Sequence, residues 1–191
     1  MSDRRQAMLD ATLRLIDRRG ADAVTHRAVA AEAGVPLAAT TYHFASKAAL
    51  VREAFELVIA RSTDLVERST RVDGPLSAEQ LADRLAAFAD AQRRDAKAPL
   101  AAQVELMLEA GRRPELHELA RRWATAYQAG LLRLVRAGGV EPAADAAELV
   151  SDLIEGALLN QLSLPRRRFR SQLRRSLALA LAGFDSATAV R

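Results

Sequence analysis

The side chains that could do chemistry are few, and several of them cluster. From Gly34 to Lys47 the chain reads Gly34-Val35-Pro36-Leu37-Ala38-Ala39-Thr40-Thr41-Tyr42-His43-Phe44-Ala45-Ser46-Lys47. Two hydroxyls, a phenol and an imidazole thus occupy consecutive positions. The histidines, His26, His43 and His117, are scattered, with no partner at catalytic or metal-ligand spacing. No HExxH motif, phosphate-binding glycine loop or dinucleotide fingerprint is present, and the absence of cysteine removes thiolate nucleophiles and disulfides. No catalytic residue, metal site or cofactor is therefore expected. What these groups can do is hydrogen-bond. Threonine can touch a thymine methyl and bond a base edge or phosphate, and Tyr42 and His43 can bond phosphates. Small residues among them let a helix sit deep in a DNA major groove, about 12 Å wide.

The elements that must position these groups are legible around them. Thr25 is a good N-cap for a short helix whose apolar face is small: Ala28, Val29, Ala30 and Ala33. Gly34 suits the turn, Val35 can plug the space between two helices, and Pro36 suits the start of the next helix. Phe44 is expected to face the core, and Ser46 to cap a long following helix. Two short helices joined by a tight glycine turn are the parts of a helix-turn-helix. The same spacing also suits two ordinary packing helices, and these residues alone leave both readings open. Charge does not separate them. From Met1 to Lys47 there are seven basic residues against five acidic ones, and the whole chain carries +4. That balance permits nucleic-acid binding without requiring it.

The rest of the chain reads as all-α. Half of its 191 residues are hydrophobic but only 4% aromatic, and alanine and leucine dominate. A first helix is predicted from Ser2 or Asp3 to Arg19, with Met8, Leu9, Thr12, Leu15 and Ile16 inward and Gly20 as its stop. Asp73-Gly74-Pro75, Pro99, Gly111 to Pro114, Gly138-Gly139 and Pro165 then punctuate further helices, about nine in all. A frayed tail is expected from Phe184 to Arg191. Met1 to Asp10 has no apolar signal core, and no apolar run approaches the roughly 20 residues of a membrane span. A soluble, cytoplasmic protein is expected.

Taken together, residues 8–50 resemble the N-terminal domain of the TetR family of transcriptional regulators. Met8-Leu9-Asp10-Ala11 with Leu15, Ile16 and Gly20 is similar to that family's first helix. Thr25, Val29-Ala30, Ala33-Gly34-Val35, Tyr42, Phe44 and Ser46-Lys47 through Leu50 are similar to the rest of its signature. The commonest family pattern places Tyr three residues before the Phe; here Thr41 stands there and Tyr42 follows. The resemblance implies a DNA-binding domain over 1–47 and an effector-binding and dimerisation domain over 48–191. It also implies a homodimer that binds a double-stranded operator and responds to a small molecule, most often as a repressor. It assigns phosphate contacts to Thr25, Arg27 and Lys47, and groove-facing positions to Thr40, Thr41, Tyr42 and His43. A phosphate contact at Lys47 also makes physical sense, because a helix N-terminus there adds free N–H groups.

Beyond Lys47 the residues carry no further signature. Phe55, Phe88, Met107, Trp123 and Tyr127 are the large side chains that could line an effector pocket, with Gln103 as a polar contact; each equally suits a core position. Leu149, Leu153, Ile154, Ala157 and Leu158 form one apolar stripe, and Phe169, Leu173 and Leu177 another. They are expected at the dimer interface, since two such helices can pair with a two-fold mate, although burial within one chain fits the same pattern. The basic run of Arg166, Arg167, Arg168, Arg170, Arg174 and Arg175 reads as a solvated face, or as ion pairs across the dimer with Asp152 or Glu155.

Overall fold

A computed structural model describes residues 3–95 and 97–188. Its helices are α1 (Asp3–Arg19), α2 (His26–Ala33), α3 (Leu37–His43), α4 (Lys47–Ser69), α5 (Ala78–Arg94), α6 (Leu100–Arg112), α7 (His117–Ala137), α8 (Ala143–Ser163) and α9 (Phe169–Thr188). Single 3₁₀ turns lie at Ala21–Ala23 and Pro114–Leu116. No strand occurs among the described residues. The all-α reading and the helix order therefore hold, with α9 starting later and running further than its sequence suggests. Of the tail expected to fray, residues 189–191 lie outside the described residues.

The helix ends follow local chemistry. Gly34 ends α2 in the left-handed region at φ 66°, and the Val35 N–H reaches back to the Ala30 carbonyl at 3.0 Å. This is a Schellman-type stop, and glycine alone adopts that φ without a Cβ penalty. Ser46 caps α4 by accepting from the Ala49 N–H at 3.1 Å. Ser77 and Gln80 form a reciprocal capping box on α5, at 3.2 and 2.8 Å.

The described residues fall into two compact units. The first draws on Met1–Ser62 and Asp95–Trp123. Its core joins α1, α2, the start of α4 and α6 through buried Met8, Leu9, Leu13, Ile16, Phe44, Leu50, Phe55 and Leu106. The second draws on Thr63–Arg94 and Ala124–Arg191, where α5, α8 and α9 pack together. Its buried side chains include Leu81, Leu85, Phe88, Leu131, Val150, Ile154 and Leu177. One close approach there needs glycine: a Cβ on Gly130 of α7 would lie 2.3 Å from Val66 Cγ1 on α4.

Candidate nucleic-acid interface

The surface of α3 has a sharp division. Leu37, Ala38, Thr41 and Tyr42 face solvent, and Tyr42, at 85% exposed, is the most open of the large hydrophobic side chains described. An exposed tyrosine offers both a ring face and a hydroxyl for contact. The Tyr42 ring is braced edge-on against His43 at 5.1 Å, and His43 itself is half-buried. Thr41 is exposed while its Oγ1 donates to the Ala38 carbonyl at 3.1 Å, which leaves its methyl and oxygen lone pairs on the surface.

Thr40 corrects the sequence-based expectation. The family resemblance places it on the groove-facing side, yet it is fully buried. Its Oγ1 donates to the Leu37 carbonyl at 2.8 Å and lies 3.5 Å from the His26 carbonyl of α2. Helical periodicity is the reason. Thr40 and Phe44 are four residues apart and share the inward side, whereas positions 38, 41 and 42 share the outward one. The same spacing marks Ala38 as outward; Leu37 falls on the side of Thr40 and Phe44 by periodicity and is exposed because it opens the helix. Thr40 is thus a pin between the two helices.

Around α3, the expected contact groups are surface groups on ordered backbone. Thr25 caps α2, its Oγ1 accepting from the Ala28 N–H at 3.1 Å. Arg27 is exposed in the first turn of α2 and makes no ion pair among the described residues. Lys47 opens α4. Its ammonium donates to the Asp22 carbonyl at 3.1 Å and lies 3.5 Å from the Asp22 carboxylate. The Asp22 turn is held in place by α6, where Glu105 Oε1 accepts from the Ala21 N–H at 3.3 Å. No sequence signal marks this link, because Ala21 and Glu105 are far apart in the chain. Arg14 and Arg18 of α1 both bond Glu32 of α2, Arg14 at 2.7 Å. Those hydrogen bonds, Arg14's first, hold the Glu32 carboxyl below its ordinary pKa against the opposing effect of burial. Arg5 of α1 stacks over the buried Phe44 ring at 5.5 Å. The scaffold behind α3 is therefore cross-linked to α1, α2 and α4.

This arrangement is shared. A family model for bacterial regulatory proteins of the tetR family matches residues 8–54, and one for the tetracyclin repressor-like C-terminal domain matches residues 76–183. The chain belongs to the TetR family. Among its relatives, the HTH-type nicotine-responsive transcriptional repressor HdnoR of Paenarthrobacter nicotinovorans is 30% identical over 138 residues, which is 70% of this chain and 68% of HdnoR. The crystal structure of the multidrug binding protein EbrR complexed with ethidium is 29% identical, with a TM-score of 0.68 over 93% of this chain and 98% of EbrR. A TetR-family member from Streptomyces coelicolor A3 is 28% identical, with a TM-score of 0.71 over 94% of this chain and 98% of its own. Membership of this family makes the chain a DNA-binding transcriptional regulator.

Of the regulator's expected effector residues, Phe55, Gln103, Met107 and Trp123 belong to the first unit, and Phe88 and Tyr127 to the second. Phe55 is fully buried in the first core, with Met107 and Trp123 packed against it. Gln103 is already engaged within the chain: its Nε2 donates to the Ala98 carbonyl at 2.6 Å, and its Oε1 accepts from Ser62 Oγ at 3.5 Å. Phe88 and Tyr127 stack at 5.5 Å, and the Tyr127 hydroxyl donates to Gln92 Oε1 at 3.5 Å. Burial, with the Glu155 charge adding to it, raises the Tyr127 pKa and keeps the phenol neutral. Among the described residues no cluster could hold a metal, and no helix is long and apolar enough to cross a membrane.

The expected dimer residues divide by exposure. Ile154, Leu158, Phe169, Leu173 and Leu177 are buried within the chain's own second unit, so they cannot form an outward face. Leu149 is exposed, and Leu153 and Ala157 are half-buried. The stripes seen in the sequence are largely the inner faces of α8 and α9, and the outer side of α8 keeps leucines of its own at Leu149, Leu159 and Leu162. The basic run also finds partners inside the chain. Arg170 bonds Asp83 at 2.9 Å and Arg174 lies 3.5 Å from Glu79, both on α5.

Proposed function

We propose that this protein is a ligand-responsive transcriptional repressor. It acts as a homodimer on a pseudo-palindromic operator, with α3 of each subunit in a major groove. The outward face of α3, with Tyr42 almost wholly exposed beside Thr41 and Ala38 on a cross-linked scaffold, is the observation that carries the reading. Thr41 and Ala38 meet base edges, while Thr25, Arg27, Tyr42, His43 and Lys47 meet backbone phosphate. Lys47 can do so without leaving Asp22, since an ammonium has three donors. Thr40 is withdrawn from this set.

The dimer face runs along the outer sides of α8 and α9. Leu149, Leu153, Gly156 and Asn160 follow one another at helical spacing on α8, as do Gln172, Ser176, Leu179 and Gly183 on α9. The glycines and serine allow two-fold-related helices to approach closely, and Leu179, 72% exposed, supplies apolar area. Pairing is needed for function, because successive major grooves lie about 34–36 Å apart and one subunit presents one recognition helix.

The effector is a small organic molecule. HdnoR's nicotine response and the ethidium bound to EbrR support that class. Effector binding lowers operator affinity by favouring a conformation whose recognition helices miss the half-site spacing, and its leverage equals its differential affinity for the two conformations. The lever is α4, whose residues belong to both units. No catalytic step is part of this function.

Binding to DNA from upstream of the protein's own coding sequence, measured by fluorescence anisotropy, tests the proposal. Selective binding is expected. Lys47→Ala should weaken all sequences alike, and Thr41→Ala should relax preference at one position by about 1–3 kcal/mol. Equal affinity for this DNA and random duplex would overturn the operator model.

A further inference from the structure

The arginine run after Pro165 is not absorbed by the DNA-binding function, and the structure gathers it into a site. Arg167, Arg168, Arg170 and Arg174, at the start of α9, face Arg93 and Arg94 at the end of α5 across an open cleft of about 390 Å³. Asp83 and Asp90 line the cleft with these six arginines, and Glu79 lies 3.5 Å from Arg174 beside it, which leaves a formal surplus of three positive charges. The two aspartates are themselves spent: Asp83 holds Arg170, and Asp90 holds Arg93 at 2.7 Å and Arg94 at 2.9 Å. They orient guanidinium groups more than they neutralise the cleft. Phe169 is buried in the lining, and the Arg93 guanidinium lies over its ring, 5.4 Å from the centroid. Arg167 and Arg168 are exposed and make no ion pair among the described residues.

We infer that this cleft binds a small multivalent organic anion, a phosphate ester or a compact polycarboxylate. Guanidinium groups match such oxygens with paired, planar hydrogen bonds and lose little entropy when pre-oriented by a carboxylate or an aromatic ring. Like charges at this density repel, and Arg167, Arg168 and Arg170 flank the N-terminus of α9, where the helix dipole disfavours cations. A bound anion offsets both costs. The volume fits a small molecule. A long phosphate backbone fits less well, because aspartates line the same cleft. The cleft lies on the side of α9 that carries Arg170 and Arg174, opposite the side that carries Gln172 and Ser176, so it stays open when the proposed dimer forms.

The test is calorimetric titration of the full-length protein with inorganic pyrophosphate, with ionic strength held constant by sodium chloride. Saturable binding is expected. The double substitution Arg167→Ala with Arg168→Ala should weaken it by at least about tenfold, since it removes two charge-assisted partners while leaving every ion pair of the cleft in place. Removing the same net charge elsewhere, with Arg122→Ala and Arg136→Ala, both exposed on α7, should change affinity by less than about twofold. The inference is overturned if wild type does not bind, if both double variants weaken alike, or if random duplex DNA displaces pyrophosphate and Arg167 and Arg168 prove to be DNA contacts. Operator binding, read separately with the same variants, is expected to be unchanged.

Discussion

Within α3, neighbouring threonines have unrelated roles. Thr41 is on the surface and Thr40 is fully buried, with its hydroxyl tied to the Leu37 carbonyl. Thr40→Val keeps the shape and removes the bond, so it is expected to cost about 1–2 kcal/mol in urea unfolding. Operator affinity of the folded fraction should stay near wild type. A large loss of affinity in fully folded protein would return Thr40 to the groove. Glu32 carries a pH dependence of definite sign. Its pKa is held below the ordinary 4.5 by Arg14 and Arg18, so its contribution is present above that value and is lost as pH falls through the lower folded value. Relative to Glu32→Gln, wild type should therefore be the more stable at neutral pH by the ~0.2–1 kcal/mol of a surface ion pair. The two should converge in acid, and a gap that widens on acidification would contradict the assignment.

Between elements, the contacts that matter are those with least room. Gly130 lets α7 lie against Val66 and Thr70 of α4, and a methyl there would overlap Val66, a stiff β-branched side chain. Gly130→Ala should gain helix propensity yet lose about 1–3 kcal/mol net through overpacking. Pairing it with Val66→Ala should recover part of that loss; unchanged or increased stability in the single variant would show that α4 and α7 have slack. The Asp22 turn is a second such junction. It takes a hydrogen bond from Lys47 and is held by Glu105 of α6, so α6 contributes to placing a proposed phosphate contact without touching DNA.

For the whole molecule, assembly is the decisive property. Leu179 is largely exposed in one chain and lies on the proposed dimer face. Leu179→Glu should leave the fold intact and shift sedimentation toward monomer. Operator affinity should fall by at least about tenfold, because a lone subunit engages one half-site and loses the linked second contact. If the variant sediments as wild type, the two-fold contact lies elsewhere.

The helix count, the glycine and proline punctuation and the Ser46 cap are legible in the residues themselves, while the helix-turn-helix is legible only through the joint resemblance over residues 8–50. The first three depend on interactions within a few positions along the chain, where periodicity and capping chemistry act directly. Sequence could not say which side of a two-sided apolar helix turns inward. Thr40, Ile154, Phe169 and Leu177 all carry suitable residue types, and only packing against α2 or within the second unit decided that they face the interior. The Glu105 link to Ala21 and the arginine cleft between α5 and α9 were equally invisible. They join residues far apart in the chain, and such pairs acquire meaning only when the tertiary fold brings them within a few ångströms.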